Sequence, residues 1–476
     1  MSNEKLTGIR DELGNGKWRI GNRYCVPLFP IPYSLFPIII IFMFPAFIYG
    51  QSEEQRFNTI KYGTETEIAA LIQSLKNEGA DYLDNEIIAL TEKTRNNKIL
   101  GGAFSFFSER EKKGLEGRAI RAIEEREDED NETVLAAIDY IGKIKAADSY
   151  KILLDLLESA ERRFMNSAIS ALGRISGPDS GLSEEAALYL IDYGENHDIN
   201  GENRREIIIA LGVTGSAAAV EFLSGIAGDG DERAGLRIAA LEALEKLGNE
   251  VGLNTVLACI SASDPNIRAA AVRALGPFSG DAVDEAILDA FRDSFYRTRI
   301  AAAQASRQRR LAKAVPFLKF RAENDEVPQV KEEAIKALGA IADAESMKFL
   351  EEIFIDRKKS VSVRIVAGEM LMQKTPEKFL DSFIKELDEA KEKNQTALYN
   401  GLLKIIGGTK CAGLEPFALR LIGQKGVVEK SYAMDIAANN NLKALADEIK
   451  TIAEDKNEGM ARKAKRTLEK LGIVAP

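Results

Sequence analysis

A chain of 476 residues is too long for one ordinary globular core and suits either two or three domains or one extended repeat array. Ala, Leu, Ile, Glu and Lys recur throughout, while Pro and aromatic residues thin out after residue 50, a balance that favours helix over strand. The formal net charge of −10 argues against a general nucleic-acid binder, which must neutralise phosphates, so no nucleic-acid partner is expected.

The first element is a leader. Residues 24–50 carry no charge and residues 35–49 are almost purely apolar. Lys17, Arg19 and Arg23 precede them, and the polar start Gln51-Ser52-Glu53-Glu54 follows abruptly. A basic region, a short apolar region and a small residue before a polar start describe a secretory signal, with cleavage after Gly50. A retained membrane anchor over 24–50 is the alternative, since the stretch is long enough to span a bilayer. Pro27, Pro30, Pro32, Pro37 and Pro45 make it a poor continuous helix. Removal of residues 1–50, with five basic and three acidic residues, would take the net charge to −12. The expected location is the periplasm or cell envelope.

Residues 51–130 read as an N-terminal helical cap or degenerate repeats, with helical patterns over 66–79, 85–97 and 109–125. Ile99 to Phe107 is apolar and reads as a buried inter-helix turn or a docking segment. Residues 124–130 (EEREDED) read as a solvated acidic turn.

From residue 131 to 476 one segment recurs: a polar start, paired apolar and Ala residues, then Leu-Gly. It appears as VLAAIDYIG (134–142), AISALG (168–173), REIIIALG (205–212), LRIAALEALEKLG (236–248), IRAAAVRALG (267–276), VKEEAIKALG (330–339), NGLLKIIG (400–407) and ARKAKRTLEKLG (461–472). Copies at 298–308 and 363–373 lack the Gly, and a degenerate one sits at 431–439. Taking the Gly as register places copies near 142, 173, 212, 248, 276, 307, 339, 372, 407, 439 and 472. Intervals mostly in the low thirties hold two helices and two short turns. The trailing Gly suits a left-handed residue ending the second helix. Shorter, bulkier first helices are predicted at 149–159, 218–228, 254–261, 285–293 and 346–356. Neither helix buries its apolar stripe alone, so each unit needs its neighbours.

The pattern DPNIRAAAVRALG resembles the HEAT repeat, in particular the compact HEAT-like subtype associated with phycobilisome lyases. The resemblance covers roughly residues 130 to 472. It implies an all-α fold, a right-handed HEAT/armadillo-like α-solenoid of about ten or eleven helix pairs. It also implies that Asp264 and Arg268 bond between adjacent repeats. A tetratricopeptide assignment fails because the Trp/Leu-Gly/Tyr pattern is absent.

Little catalytic chemistry is visible, and no catalytic, cofactor-binding or metal site is expected. The only histidine, His197, sits in a polar loop without Cys or His partners. A Ser-His-Asp or Cys-His system is thereby nearly excluded. Asp229-Gly230-Asp231-Glu232 lacks calcium-loop spacing, and no Gly-rich phosphate loop occurs. Cys25 lies in the leader, and Cys259 and Cys411 read as two free thiols, Cys259 as core filler and Cys411 as a turn or helix-start residue. The best surface feature is a local charge reversal comprising Arg292, Arg297, Arg299, Arg307, Arg309, Arg310, Lys313, Lys319 and Arg321, with aromatics interleaved. It is a candidate patch for an acidic protein surface, anionic lipid or polyanion.

The expected function is therefore a non-enzymatic scaffold presenting a curved helical surface to protein partners. The rivals are a HEAT-like lyase or nucleic-acid repair enzyme, and a membrane-tethered assembly factor held by the leader. The sole Trp, Trp18, lies in the leader, which counts against an aromatic-lined DNA cleft.

Overall fold

The computed structural model describes residues 52–75, 80–197 and 199–475. The leader and its cleavage point lie outside these residues. Among them every regular element is helical, and no helix is long and apolar enough to cross a membrane. Two compact units divide at Leu83.

The first unit holds helices α1 (Glu53–Tyr62) and α2 (Glu65–Leu75). Ser52 and Gln55 form a reciprocal capping box at the start of α1. Helix α2 buries Ile68, Leu71, Ile72 and Leu75, the i, i+3, i+4, i+7 stripe of an amphipathic helix.

The second unit is a series of helix pairs. It opens with α3 (Asp84–Thr91) and α4 (Asn97–Glu109), α5 (Glu116–Glu124) and α6 (Asn131–Lys143), α7 (Tyr150–Glu158) and α8 (Arg162–Ile175), α9 (Ser183–Asn196) and α10 (Gly201–Thr214). It continues with α11 (Ala219–Gly228) and α12 (Ala234–Leu247), α13 (Leu253–Cys259) and α14 (Pro265–Ala274), α15 (Asp281–Ala290) and α16 (Tyr296–Arg309), α17 (Val315–Asn324) and α18 (Pro328–Ile341). It closes with α19 (Ala344–Ile355) and α20 (Val361–Lys374), α21 (Pro376–Glu392) and α22 (Thr396–Gly408), α23 (Glu415–Ile422) and α24 (Val427–Asn440), α25 (Ala446–Ala453) and α26 (Glu458–Lys470). Each odd helix packs on the even helix after it, and consecutive even helices pack on one another from α4 to α26. The second unit thus holds twelve pairs, one or two more than the repeat pattern announced. All eleven recurring sequence segments lie on even helices.

The regular pairing begins at α3, inside the segment read as a cap or degenerate repeats. Ile99 to Phe107 is neither a turn nor a docking segment. It is the body of α4, with Phe104, Phe106 and Phe107 fully buried and Phe104 stacked on Tyr140 at 6.0 Å. The acidic turn before α6 is not merely solvated either. Glu129 pairs with the buried Arg118 at 2.8 Å, Glu127 pairs with Arg163, and Asp130 caps α6 by accepting from the Thr133 N–H.

The recurring glycine works differently from the expected helix terminator. Gly142, Gly173, Gly212, Gly339 and Gly407 lie within α6, α8, α10, α18 and α22, and none has a positive φ. They are points of close approach between even helices. A Cβ on Gly173 would meet Ala210 Cβ at 2.9 Å, and one on Gly212 would meet Ala243 Cβ at 2.8 Å. The left-handed residue falls three positions later, at Lys145, Gly215, Arg310 and Ala342, and the same rule applied to Asn441 moves the register of α24 from 439 to Ala438. Gly248 (φ 56°) and Gly472 (φ 70°) belong to this second class. The register of α12 therefore sits at Glu245, where Ala243 meets Gly212 just as Ala210 meets Gly173. The spacing 212–248–276 (36 and 28 residues) becomes 212–245–276 (33 and 31), and the repeat is more regular than its glycines suggested.

Candidate functional site

The even helices are held in line by arginines near their starts. Arg268 on α14 donates two hydrogen bonds to Asp293 of the next repeat, at 2.9 and 3.1 Å, and its third nitrogen donates to the Ala262 and Ser263 carbonyls. Arg299 on α16 repeats this one repeat later, with Asp325 at 2.7 and 2.9 Å and the Asp293 and Ser294 carbonyls. The expected inter-repeat bond is present for Arg268. Asp264 serves its own helix instead, accepting from the Asn266 N–H at 2.8 Å. Burial alone would raise the Asp325 carboxyl; Arg299, the Val327 N–H and Arg321 together hold it below the usual carboxylate range.

This alignment exposes a continuous stripe of even-helix residues, and across α12, α14 and α16 the stripe dips into a groove of about 330 Å³. Its floor is Ile238, Ala269, Ala270, Ile300 and Ala301, where the small residues keep the surface low. Its rim is Glu242, Asn266, Arg273, Arg297 and Gln304. Arg273 is held by Glu242 at 2.6 Å and Glu245 at 3.2 Å. Burial pushes the Glu245 carboxyl up even beside that guanidinium. Arg297 donates to Asn266 Oδ1 at 3.4 Å and to the Tyr296 hydroxyl at 3.2 Å. The rim carries a formal charge of +1 from two guanidiniums and one carboxylate, with Arg273 held by Glu242 and Glu245, and Asn266 and Gln304 offer amide donors and acceptors suited to peptide groups. Three helices at ~10 Å spacing span ~20 Å, the length of about six extended residues.

Of the nine residues in the sequence-derived basic patch, only Arg297 lines this groove. The nine do not converge on one surface, because they are spread over one even helix (α16), one odd helix (α17) and the turns on either side of α16. Arg299 is buried in the ladder. Arg309 and Lys313 pair with Asp284, Lys319 with Glu345, Arg321 with Asp325, Arg307 with Glu333 and Arg292 with Asp289. Arg310 is exposed and takes the left-handed position after α16 (φ 49°). Seven of the nine thus have a carboxylate within ion-pair distance, which leaves little free positive charge. The groove itself escaped the sequence reading, although its signal was there: Ala where neighbouring copies carry larger residues.

His197 ends α9 and stacks on Tyr193 at 4.1 Å. Cys259 and Cys411 are free and buried, Cys411 in the turn after α22. Burial raises both thiols above their ordinary value. No group of three His, Cys, Asp or Glu side chains among the described residues is placed to hold a metal ion.

Helix pairs stacked in an unbroken series, with Ala-rich second helices tied by an Arg–Asp ladder, define an α-solenoid of the HEAT-repeat class. The chain matches the model for the spirochaete HEAT repeat protein family over residues 60–467 and belongs to that family. No curated protein matches it in sequence. Among solved structures, yeast importin-β (Kap95p) is similar at 11% identity and a TM-score of 0.50, covering 92% of this chain and 67% of that one. Kap121p is similar at 12% identity and a TM-score of 0.41, covering 92% of this chain and 54% of that one. The chain thus spans about half the length of Kap121p. At such identities the likeness is one of fold.

Proposed function

We propose that this chain is a non-enzymatic scaffold that grips an extended segment of a protein partner on its even-helix face, with the α12–α16 groove as an anchor. The observation that carries this reading is the groove's make-up: an apolar floor of five residues beneath a rim of two amides, an Arg273–Glu242 ion pair and an arginine, Arg297, bonded to Asn266. Such surfaces fix a peptide by side-chain burial and a few oriented hydrogen bonds. The lining has no His, Cys, Ser, Thr or Asp, and its one carboxylate, Glu242, is held by Arg273. That inventory suits recognition better than bond-breaking chemistry. Two similar structures hold Kap121p bound to Ste12p and to the extreme C-terminus of Cdc14p.

The test places a photo-crosslinking residue in the native cell at Ile300 or Ala269, and in control chains at Leu188 or Val251, both exposed away from the even helices. The reading expects a discrete partner adduct from the first two positions only. Equal adducts from Leu188 and Val251 would remove the groove from the account.

We further propose that the scaffold works in the periplasm or cell envelope, on the strength of the leader's basic, apolar and polar succession. Mass spectrometry of the native N-terminus tests this. A chain beginning near Gln51 in the soluble envelope fraction supports export, an intact leader in the membrane fraction supports a tethered scaffold, and an intact leader in the cytosol overturns both.

A further inference from the structure

We infer that a second hollow on the even-helix face, at α26, binds an acidic segment of a protein partner through Arg462 and Arg466. This rests on the reading that even helices carry recognition, but at a different place in the array. The α14 and α16 residues of the first groove lie ten, seven, six and three positions before the register residues at 276 and 307. In α26, whose register residue is Glu469, the same four positions are Gly459, Arg462, Lys463 and Arg466, and these four line a hollow of about 470 Å³. One architectural position thus forms a depression twice, with a different chemistry each time.

The difference is charge that is not answered. In the first groove both arginines are occupied, Arg273 by two glutamates and Arg297 by Asn266. On α26, Lys463 is occupied by Ser431 and Asp435, each at 2.7 Å. Arg462 and Arg466 are exposed and have no carboxylate within ion-pair distance among the described residues. They stand one turn apart on the same face, where like charges repel. Each keeps a planar fork of donors free for a carboxylate. No other even helix carries three cations at these four positions.

The neighbouring helix narrows the occupant. At the start of α24, which packs on α26, Val427 and Val428 are 53% and 46% exposed. Val428 occupies on α24 the register position of Gly459 on α26. A segment joining carboxylates to an apolar side chain fits this combination. Asp435, Glu458 and Glu469 lie on the same two helices, so a long polyanion laid across them would meet like charge.

The experiment is fluorescence anisotropy of a labelled peptide of about ten residues alternating Glu, Asp and Leu, titrated with the full chain. The inference expects saturable binding that weakens with salt. Arg462→Glu with Arg466→Glu should weaken it at least tenfold, and Arg462→Lys with Arg466→Lys should weaken it less, since charge is kept while the fork is lost. Val428→Asp should also weaken it. Ile300→Glu should leave it unchanged, which separates this hollow from the groove. Far-ultraviolet circular dichroism confirms that each variant is folded. Absence of saturable binding up to about 1 mM, the limit of weak specific affinity, overturns the inference, as does an unchanged affinity in the double Glu variant. Equal or tighter arginine-dependent binding to phosphatidylserine vesicles or to single-stranded DNA also overturns it, in favour of a lipid or nucleic-acid ligand.

Discussion

Gly212→Ala is expected to destabilise the array even though Ala is ordinarily the better helix residue. In an unobstructed helix interior, Gly→Ala gains up to about 1 kcal/mol of helix propensity. At Gly212 the new methyl would stand 2.8 Å from Ala243 Cβ and 2.9 Å from Ala243 Cα. Comfortable carbon–carbon contact is ~3.5–4.0 Å, so α10 and α12 must part by about 0.7 Å. One of the obstructing atoms is backbone, so no rotamer change relieves the clash. Overpacking of this kind costs about 1–3 kcal/mol, leaving a net change between about zero and 2 kcal/mol unfavourable. Gly225 is the matched control. It also lies in the last turn of its helix, α11, and a Cβ there would have nothing within 4 Å. Gly225→Ala should therefore stabilise by about 0.5–1 kcal/mol. Urea unfolding of both variants should be paired with hydrogen exchange of α10 and α12, because long repeat arrays need not unfold in one step. Equal stabilisation by both substitutions would refute the close-approach role assigned to the Leu-Gly glycine.

Three further predictions follow from the same geometry. Asp325→Asn should cost about 3 kcal/mol near neutral pH, because it strands the buried guanidinium of Arg299. The wild-type Asp325 carboxyl titrates below its unfolded value, so its contribution is complete above about pH 4 and lost as pH falls through the lower folded pKa; the variant's stability–pH curve should accordingly be flatter on its acid side. Ala342→Gly should stabilise slightly, by about 0.5 kcal/mol. Relief of left-handed strain at φ 57°, about 1–2 kcal/mol, outweighs the added entropy of the unfolded glycine, and thermal melts at fixed protein concentration measure the difference. Cys259 and Cys411 should resist a thiol reagent until the chain unfolds, as read site by site by mass spectrometry; fast native modification of Cys259 would contradict its burial.

The array was legible because its even helices share one environment, and that environment demands one pattern. Small residues are needed where consecutive even helices meet, and eleven copies show them. Helix α4 escaped notice because its buried last turns carry Phe104, Phe106 and Phe107, with Ser108 rather than Gly three positions before the left-handed Glu111. Gly248 misled the register because glycine serves two physical ends here, close approach within the helix and a left-handed turn just past it. The basic run from Arg292 to Arg321 illustrates a different limit. A linear sequence shows how many charges lie together but not which carboxylates of neighbouring repeats answer them. Asp284, Asp325, Glu333 and Glu345 do so here. The α26 arginines, a shorter and less conspicuous cluster, keep the free charge.

The measurement that bears most directly on the scaffold account is the affinity of the crosslinked partner for three purified chains: wild type, Ala269→Arg and Val251→Arg. Ala269 lies on the groove floor, and Val251 is 73% exposed in a turn between odd and even helices. The account predicts that Ala269→Arg, which fills the floor and adds an unbalanced charge, weakens binding at least tenfold, while Val251→Arg leaves it within a factor of two or so of wild type. Equal affinities for all three chains, or a loss confined to Val251→Arg, would contradict recognition through the even-helix face.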